Sequence, residues 1–318
     1  MKQYVDFKNI NINDNLVLSI KESGKTVTAI KAGERATKIV ATVLTYTFLL
    51  ALALLVIFPF YWMIITSLKT LDEITSTKQT FFPTTVMWTN YVYIFQKFDF
   101  SSYMFNTIAV AILSTTGTLL TTIFAAFAFS RLRFKGRETV FAIFLMTMMI
   151  PGEMMVISNY ITVASFGWIG QNQTRWEAYA AMTVPMLVSV FYIYLLRQNF
   201  KQIPNELYLA AKVDGKSDWS YLWRVMVPLA APTLISISIL KFMGTWNAYV
   251  WPNLVAEKEW SLISVGLRGG AFTNIDLNIP EYGYRMAASF VVTVPLFLLF
   301  IFFRKYIMRG VGRAGIKG

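Results

Sequence analysis

The chain has 318 residues, of which 56% are hydrophobic and 16% aromatic but only 14% charged, with 29 Lys+Arg against 17 Asp+Glu. That balance excludes an ordinary soluble domain, in which about a quarter of the residues carry charge, and it excludes a disordered chain as well. Cys and His are absent, which removes disulfide staples, thiolate nucleophiles, the usual zinc ligands, the Ser-His-Asp triad and the commonest general base near neutral pH.

Residues 1–38 are polar and carry seven Lys and Arg, so they read as a soluble tail; the apolar run that follows is too long for a cleavable signal peptide. Gly24-Lys25-Thr26 imitates the end of a phosphate-binding loop, but Ser19 stands where its first Gly belongs, so no ATP binding is expected from this chain. Long uncharged intervals then recur. Because about 20 helical residues cross roughly 30 Å of hydrocarbon, six membrane spans are predicted near 39–68, 104–130, 138–162, 178–197, 229–251 and 286–307.

The links between them set an orientation. The tail 1–38, the link 131–137, the stretch 197–228 and the tail 304–318 hold seven, four, five and five Lys and Arg, whereas 69–103, 163–177 and 252–285 hold three, one and three. Cytoplasmic loops keep the basic excess, so both termini are expected inside. The net charge of +12 is then topological. A nucleic-acid surface would need those charges on one face, and none is expected.

The segment 198–228 carries the most specific local pattern. Pro204 and Asn205 suit a helix start, Glu206 favours its positive end, and Asp214-Gly215 stops it. Ser217 with Asp218 can then cap a second helix from Trp219 to Pro228. Leu207, Ala210 and Ala211 lie three and four apart on the first helix and give it a small-centred apolar face. Spacing alone leaves two uses open for such a hairpin: an amphipathic element lying on lipid headgroups, or a helix that docks a partner.

LYLAAKVDG followed by WRVMVPLAAP resembles the cytoplasmic coupling loop of permease subunits in binding-protein-dependent ABC importers, with Gly215 and Pro228 at matching distances. Further likeness lies in FPFYWMIITSLKT, FFPTTVMWTNYVYIF, AAFAFSRLRFKGR, MIPGEMM, GTWNAYVWP and the terminal GRAGIKG. Together these look like the MalG-type branch that serves carbohydrates, from about residue 55 to Gly318. The resemblance implies an all-α integral membrane protein of six transmembrane helices with the type I importer permease fold. It also implies a six-span domain over 39–307 that includes the coupling loop 198–228, with cytoplasmic tails 1–38 and 308–318. The implied partners are ATP-binding subunits, a second homologous permease, an extracytoplasmic sugar-binding protein and membrane lipid. ATP is used by the partner subunits, no cofactor or metal is held by this chain, and the implied location is the bacterial cytoplasmic membrane.

The implied ATPase contacts are Glu206, Leu209, Ala210, Ala211, Asp214 and Gly215. The family's pattern has Glu directly before the two alanines, where this chain has Leu209. Either Glu206 or Asp214 replaces that carboxylate, or the contact is more apolar and leans on Leu209.

Four residues are candidates for the translocation path. Lys241 lies roughly 18 Å along the fifth span from Leu229, a depth at which charge is costly. Trp246 and Asn247, with Tyr249 and Trp251, offer stacking faces and an amide, although aromatics near a span end also form interfacial belts. Glu153 follows Pro151-Gly152, a predicted kink in the third span. The alternatives are a secondary transporter or a channel for a small polar solute. They would call for inverted repeats with ion-coordinating carboxylates, or for a filter loop, and neither pattern is evident.

Overall fold

A computed structural model of the chain describes residues 12–97, 99–268, 273–274 and 279–312, with side chains over 37–96, 99–268 and 281–304. The first eleven residues of the expected N-terminal tail and the terminal motif beyond Gly312 lie outside the described residues. The chain divides into two compact units, Met1–Trp62 and Met63–Gly318.

Nearly all of the described structure is helical. The first helix, α1, runs from Ile12 to Ser67, so the tail expected as a polar extension is helical from Ile12 and passes into the first span without a break at residue 38. Its charge-poor part, Thr37–Ser67, is long and apolar enough to cross a membrane, as are Phe100–Ser130 in α4 (Phe100–Ser130) and Tyr282–Arg304 in the last helix. Short helices α2 (Leu71–Thr75) and α3 (Thr89–Lys97) fill the first long link.

The other three predicted spans are not straight. α5 (Arg137–Thr147) meets the stretch Gly152–Ser165, which contains α6 (Val156–Ser165), at 89°. The arm Arg175–Met186, led by α7 (Arg175–Thr183), meets α8 (Val190–Gln202) at 56°. After α9 (Asn205–Val213) comes α10 (Asp218–Tyr221), a π-helical turn at Leu222–Met226, and α11 (Val227–Leu229); that arm meets α12 (Ala231–Trp246) at 78°. Pro151, Pro185 and Pro232 stand beside the three bends, and each lacks the N–H that would continue the ladder. The composition therefore provides three spans, or up to six if each bent pair is one. α13 (Val250–Val255) and α14 (Ile263–Arg268) follow, then a two-residue antiparallel bridge pairing Thr273–Asn274 with Ile279–Pro280, and finally α15 (Tyr282–Gly312).

α4 is the centre of the second unit, packed on α8 and α12, while α12 also meets α15. Its inward face alternates small and β-branched residues, Val110, Ala111, Ser114, Thr118, Thr122 and Ala126, all buried, which lets neighbouring backbones approach closely. At Gly117 a Cβ would lie 2.5 Å from Leu187 Cδ2. At one end of the bundle Ile123, Phe127, Leu196, Phe200, Tyr221, Leu222 and Met226 form a core. At the other end Asn106 ties α4 to the loop after α13. Its amide donates to the Glu259 carbonyl at 3.0 Å, and the Tyr179 hydroxyl donates to it at 2.7 Å.

Candidate functional site

Two features of the second unit draw polar chemistry together: the α9–α10 hairpin at the end of the bundle where α4 and α8 finish, and a cavity beside the bend ahead of α8.

The hairpin forms as its residues dictate. α9 starts at Asn205 after Pro204 and ends at Asp214, and Gly215 takes the left-handed conformation with φ 71°. The Gly215 N–H donates to the Lys212 carbonyl at 3.0 Å and the Lys216 N–H to that of Ala211 at 2.9 Å, the double closure of a Schellman turn. Ser217 Oγ accepts from the Ser220 N–H at 3.2 Å and opens α10. Across the turn Asp218 accepts from Tyr208 Oη at 2.7 Å and pairs with Lys212 at 2.8 Å. Both charged side chains of that pair are about 40% exposed, so it contributes only about 0–1 kcal/mol. Tyr208 and Ala211 face the core beneath.

The outward face is the remainder of α9. Glu206, Leu209, Ala210, Asp214 and Gly215 are all exposed, Leu209 at 52%, and Val213 stands at 88%. Thus the six residues expected to contact a partner do come together, but Ala211 turns half inward. Leu207 is 43% exposed and, like Val213, adds apolar surface. Such exposed apolar side chains on one short helix form a patch that the described residues leave uncovered.

Charged residues that the sequence registers only as loop charges hold the hairpin's base. Arg131, 9% exposed, donates through Nη2 to the carbonyls of Phe200 and Ile203 at 2.8 and 2.5 Å, and through Nη1 to Asn205 Oδ1 at 3.4 Å. Arg197, 3% exposed, donates through Nε to the Phe129 carbonyl at 3.1 Å and through Nη2 to Glu138 at 2.6 Å, with its guanidinium 3.8 Å from the Phe141 ring centre. The available signal was position: each is the first charge after a long uncharged run.

The cavity, of about 440 Å³, is lined by Ser114, Ser189, Tyr192, Lys241 and Thr245 among apolar neighbours that include Met186 and Trp251. The bend frees backbone carbonyls that α4 and α12 satisfy. Lys241 Nζ donates to the Met186 carbonyl at 2.9 Å and Thr121 Oγ1 to that of Leu187 at 2.8 Å. Of the four candidate path residues, Lys241 alone lines this space. Trp246 is 2% exposed and stacked on Phe242 at 5.7 Å, so it presents no open ring face. The Asn247 amide turns back to the Met243 carbonyl at 2.9 Å, and Glu153 lies exposed in the turn Gly152–Met155 at the 89° bend. Their neighbours serve structure too: Trp251 Nε1 donates to the Ala181 carbonyl at 3.1 Å, and Tyr249 stacks under Arg268.

At the opposite end, Glu73 orders the loop 69–84. Hydrogen bonds from the Thr80 hydroxyl, and then from the Thr84 amide and hydroxyl, hold its carboxyl below the usual carboxylate range despite some desolvation. The ionised form is the one held. Its contribution is therefore complete above the unfolded value of about 4.3 and fades as pH falls through the folded value. Glu73→Gln is expected to lower the protection of the Thr84 amide against hydrogen exchange about threefold or more at neutral pH, and acid should lower that protection in the unsubstituted chain, measured against the intrinsic exchange rate at the same pH.

Residues 117–313 match the family model of the "binding-protein-dependent transport system inner membrane component". The chain is similar to the lactose transport system permease protein LacG of Rhizobium radiobacter, at 30% identity over 84% of this chain and 94% of that protein. It is similar at 31% to the inner membrane ABC transporter permease YcjP of Escherichia coli, over 85% and 94%. It is also 30% identical to the trehalose/maltose permease MalG of Thermococcus litoralis, over 84% and 94%. Among solved structures, a bacterial ABC transporter that imports the acidic polysaccharide alginate shares the fold with a TM-score of 0.74 at 21% identity, over 84% of this chain and 96% of that one. With three to six candidate spans, a capped hairpin at one end of the second unit and the family model matched over more than half its length, this chain belongs to the inner membrane permease components of binding-protein-dependent importers, a family in which its relatives carry sugars.

Proposed function

We propose that the chain is the half of an ATP-driven importer that forms, with a second permease, the path for a sugar or oligosaccharide handed over by an extracytoplasmic binding protein. In this reading each bent pair is one span, giving six, and both termini lie in the cytoplasm with the basic links. The α9 hairpin then faces the cytoplasm, where an ATPase subunit grips it; ATP is hydrolysed there and not on this chain. Closure of the ATPases moves α9 as a rigid body, and the bundle alternates between inward- and outward-facing states. The observation that carries the reading is the bare outward face of α9, anchored beneath by Tyr208, Ala211 and Arg131. Mild-detergent capture of the tagged chain should bring down an ATPase with a full phosphate-binding loop and one similar permease. Recovery of the chain alone under several extraction conditions would turn the reading toward a secondary transporter.

Lys241 is the proposed path residue. It carries charge where a sugar's hydroxyls would pass, and it lines the cavity with Ser189, Tyr192 and Thr245. Lys241→Met removes the charge and leaves the Met186 carbonyl with only the longer bond from Thr118 Oγ1, at 3.4 Å. Uptake is expected to fall about tenfold at unchanged membrane abundance; unaltered uptake would remove Lys241 from the path.

A further inference from the structure

We propose that Arg131 and Arg197 form a reciprocal clasp that fixes the position of the coupling hairpin, and that both are positioning residues for the coupling of ATP hydrolysis to import. The inference rests on the importer reading above and assigns that site two residues outside the hairpin.

α4 ends at Ser130 and α8 at Gln202, and each leaves its last carbonyls without helical partners at a negative dipole end; α4 has no basic residue in its last turn and α8 has Lys201. Arg131, one residue past α4, reaches across to the carbonyls of Phe200 and Ile203 at the end of α8. Arg197, near the end of α8, reaches back to the carbonyl of Phe129 at the end of α4. Each helix therefore supplies the cation that caps the other, and neither end can shift without breaking a bond to a buried guanidinium.

Two further contacts make this a joint instead of a simple brace. Arg131 also holds Asn205, the first residue of α9, so the hairpin begins on the clasp. Arg197 is held in turn by Glu138 and the Phe141 ring of α5, which brings the third span's first arm into the same joint. The two clasped helices run from here to the cavity: Ser189 and Tyr192 lie at the far end of α8, and Ser114 lies on α4. Phe200 is only about 12 Å along α8 from Tyr192. A push on α9 thus enters the two rods that carry the cavity walls. Arginine suits the task because its planar fork reaches two carbonyls and a side chain at once, which a lysine ammonium on its flexible stem does not reproduce.

The test uses the complete importer in proteoliposomes, with its ATPase, second permease and binding protein, and measures ATP hydrolysed per solute imported, normalised to assembled complex. Arg131→Lys and Arg197→Lys keep the charge and lose the fork. Each is expected to assemble normally while the ratio rises about fivefold or more, hydrolysis persisting as import falls. A clasp that merely holds the fold predicts otherwise: import and hydrolysis would fall together with the amount of complex and the ratio would stay constant. That result overturns the proposal, as does an unchanged ratio at normal assembly. Arg131→Ala, which removes the cation, should exceed Arg131→Lys in the same direction if it assembles. Should the unsubstituted chain capture no ATPase at all, the importer reading itself fails, before any variant is compared.

Discussion

Gly215→Val should leave the chain inserted in the membrane and cut import by about tenfold. Gly215 sits at φ 71° between α9 and α10, where a residue with a side chain pays roughly 1–2 kcal/mol and a β-branched one more. A Cβ there would meet nothing within 4 Å, so the penalty is conformational and no neighbour can relieve it. The chain's other route is to unwind the last turn of α9, giving up the bonds from Gly215 to Lys212 and from Lys216 to Ala211. Either response tilts α9 relative to α10, and about 1.4 kcal/mol against the native turn corresponds to tenfold. Gly215→Asn supplies the control, since Asn tolerates the left-handed region through its short polar side chain. Uptake by radiolabelled solute in cells, with the chain quantified in membranes, separates the two. Equal uptake by the Val and Asn variants would show that the turn's geometry does not matter for coupling.

That turn was legible in the sequence because its determinants are local. Pro204, Asp214-Gly215 and Ser217 lie within fourteen residues, and each acts on backbone groups beside it. The three straight spans were legible as uncharged runs, and Pro151-Gly152 announced the kink where an 89° bend lies, but the bends ahead of α8 and α12 were not legible. The run 178–197 reads as one apolar interval, yet the chain breaks between Met186 and Val190 because Thr121 on α4 and Lys241 on α12 accept the burden of the freed carbonyls. Those partners are 66 and 55 residues away, and no local pattern announces them. Trp246 fails for a related reason. Its motif offers an aromatic face, but α12 rotates that face onto Phe242 and into a core with Ile94, Phe100 and Ala288. Arg131 and Arg197 were counted as loop charges for orientation, while their guanidinium groups are buried on carbonyls from another helix. Helix polarity explains why arginine belongs there, but only the meeting of two helix ends reveals it.

The hairpin's outward face decides between the ionic and the apolar version of the partner contact. Leu209→Asp is expected to release the ATPase, weakening its capture about a hundredfold or more. Leu209 is 52% exposed and Val213 88%, so within this chain the substitution disturbs little packing and should leave thermal stability unchanged. Against a partner the same side chain would be covered. Covering a Leu contributes about 1.5–3 kcal/mol, and an unpaired carboxylate forced into that place costs further desolvation. Glu206 lies one turn earlier and is exposed. Glu206→Ala removes at most an exposed ion pair of about 0–1 kcal/mol, roughly fivefold at the upper limit. Asp214 is exposed too, and Asp214→Ala carries the same small expectation. Capture of the ATPase by each variant, compared at matched expression, orders the three. A hundredfold loss in Leu209→Asp beside a slight one in the carboxylate variants places the grip on the apolar face. The reverse order would move it to Glu206 or Asp214, with Leu209 left as bare surface.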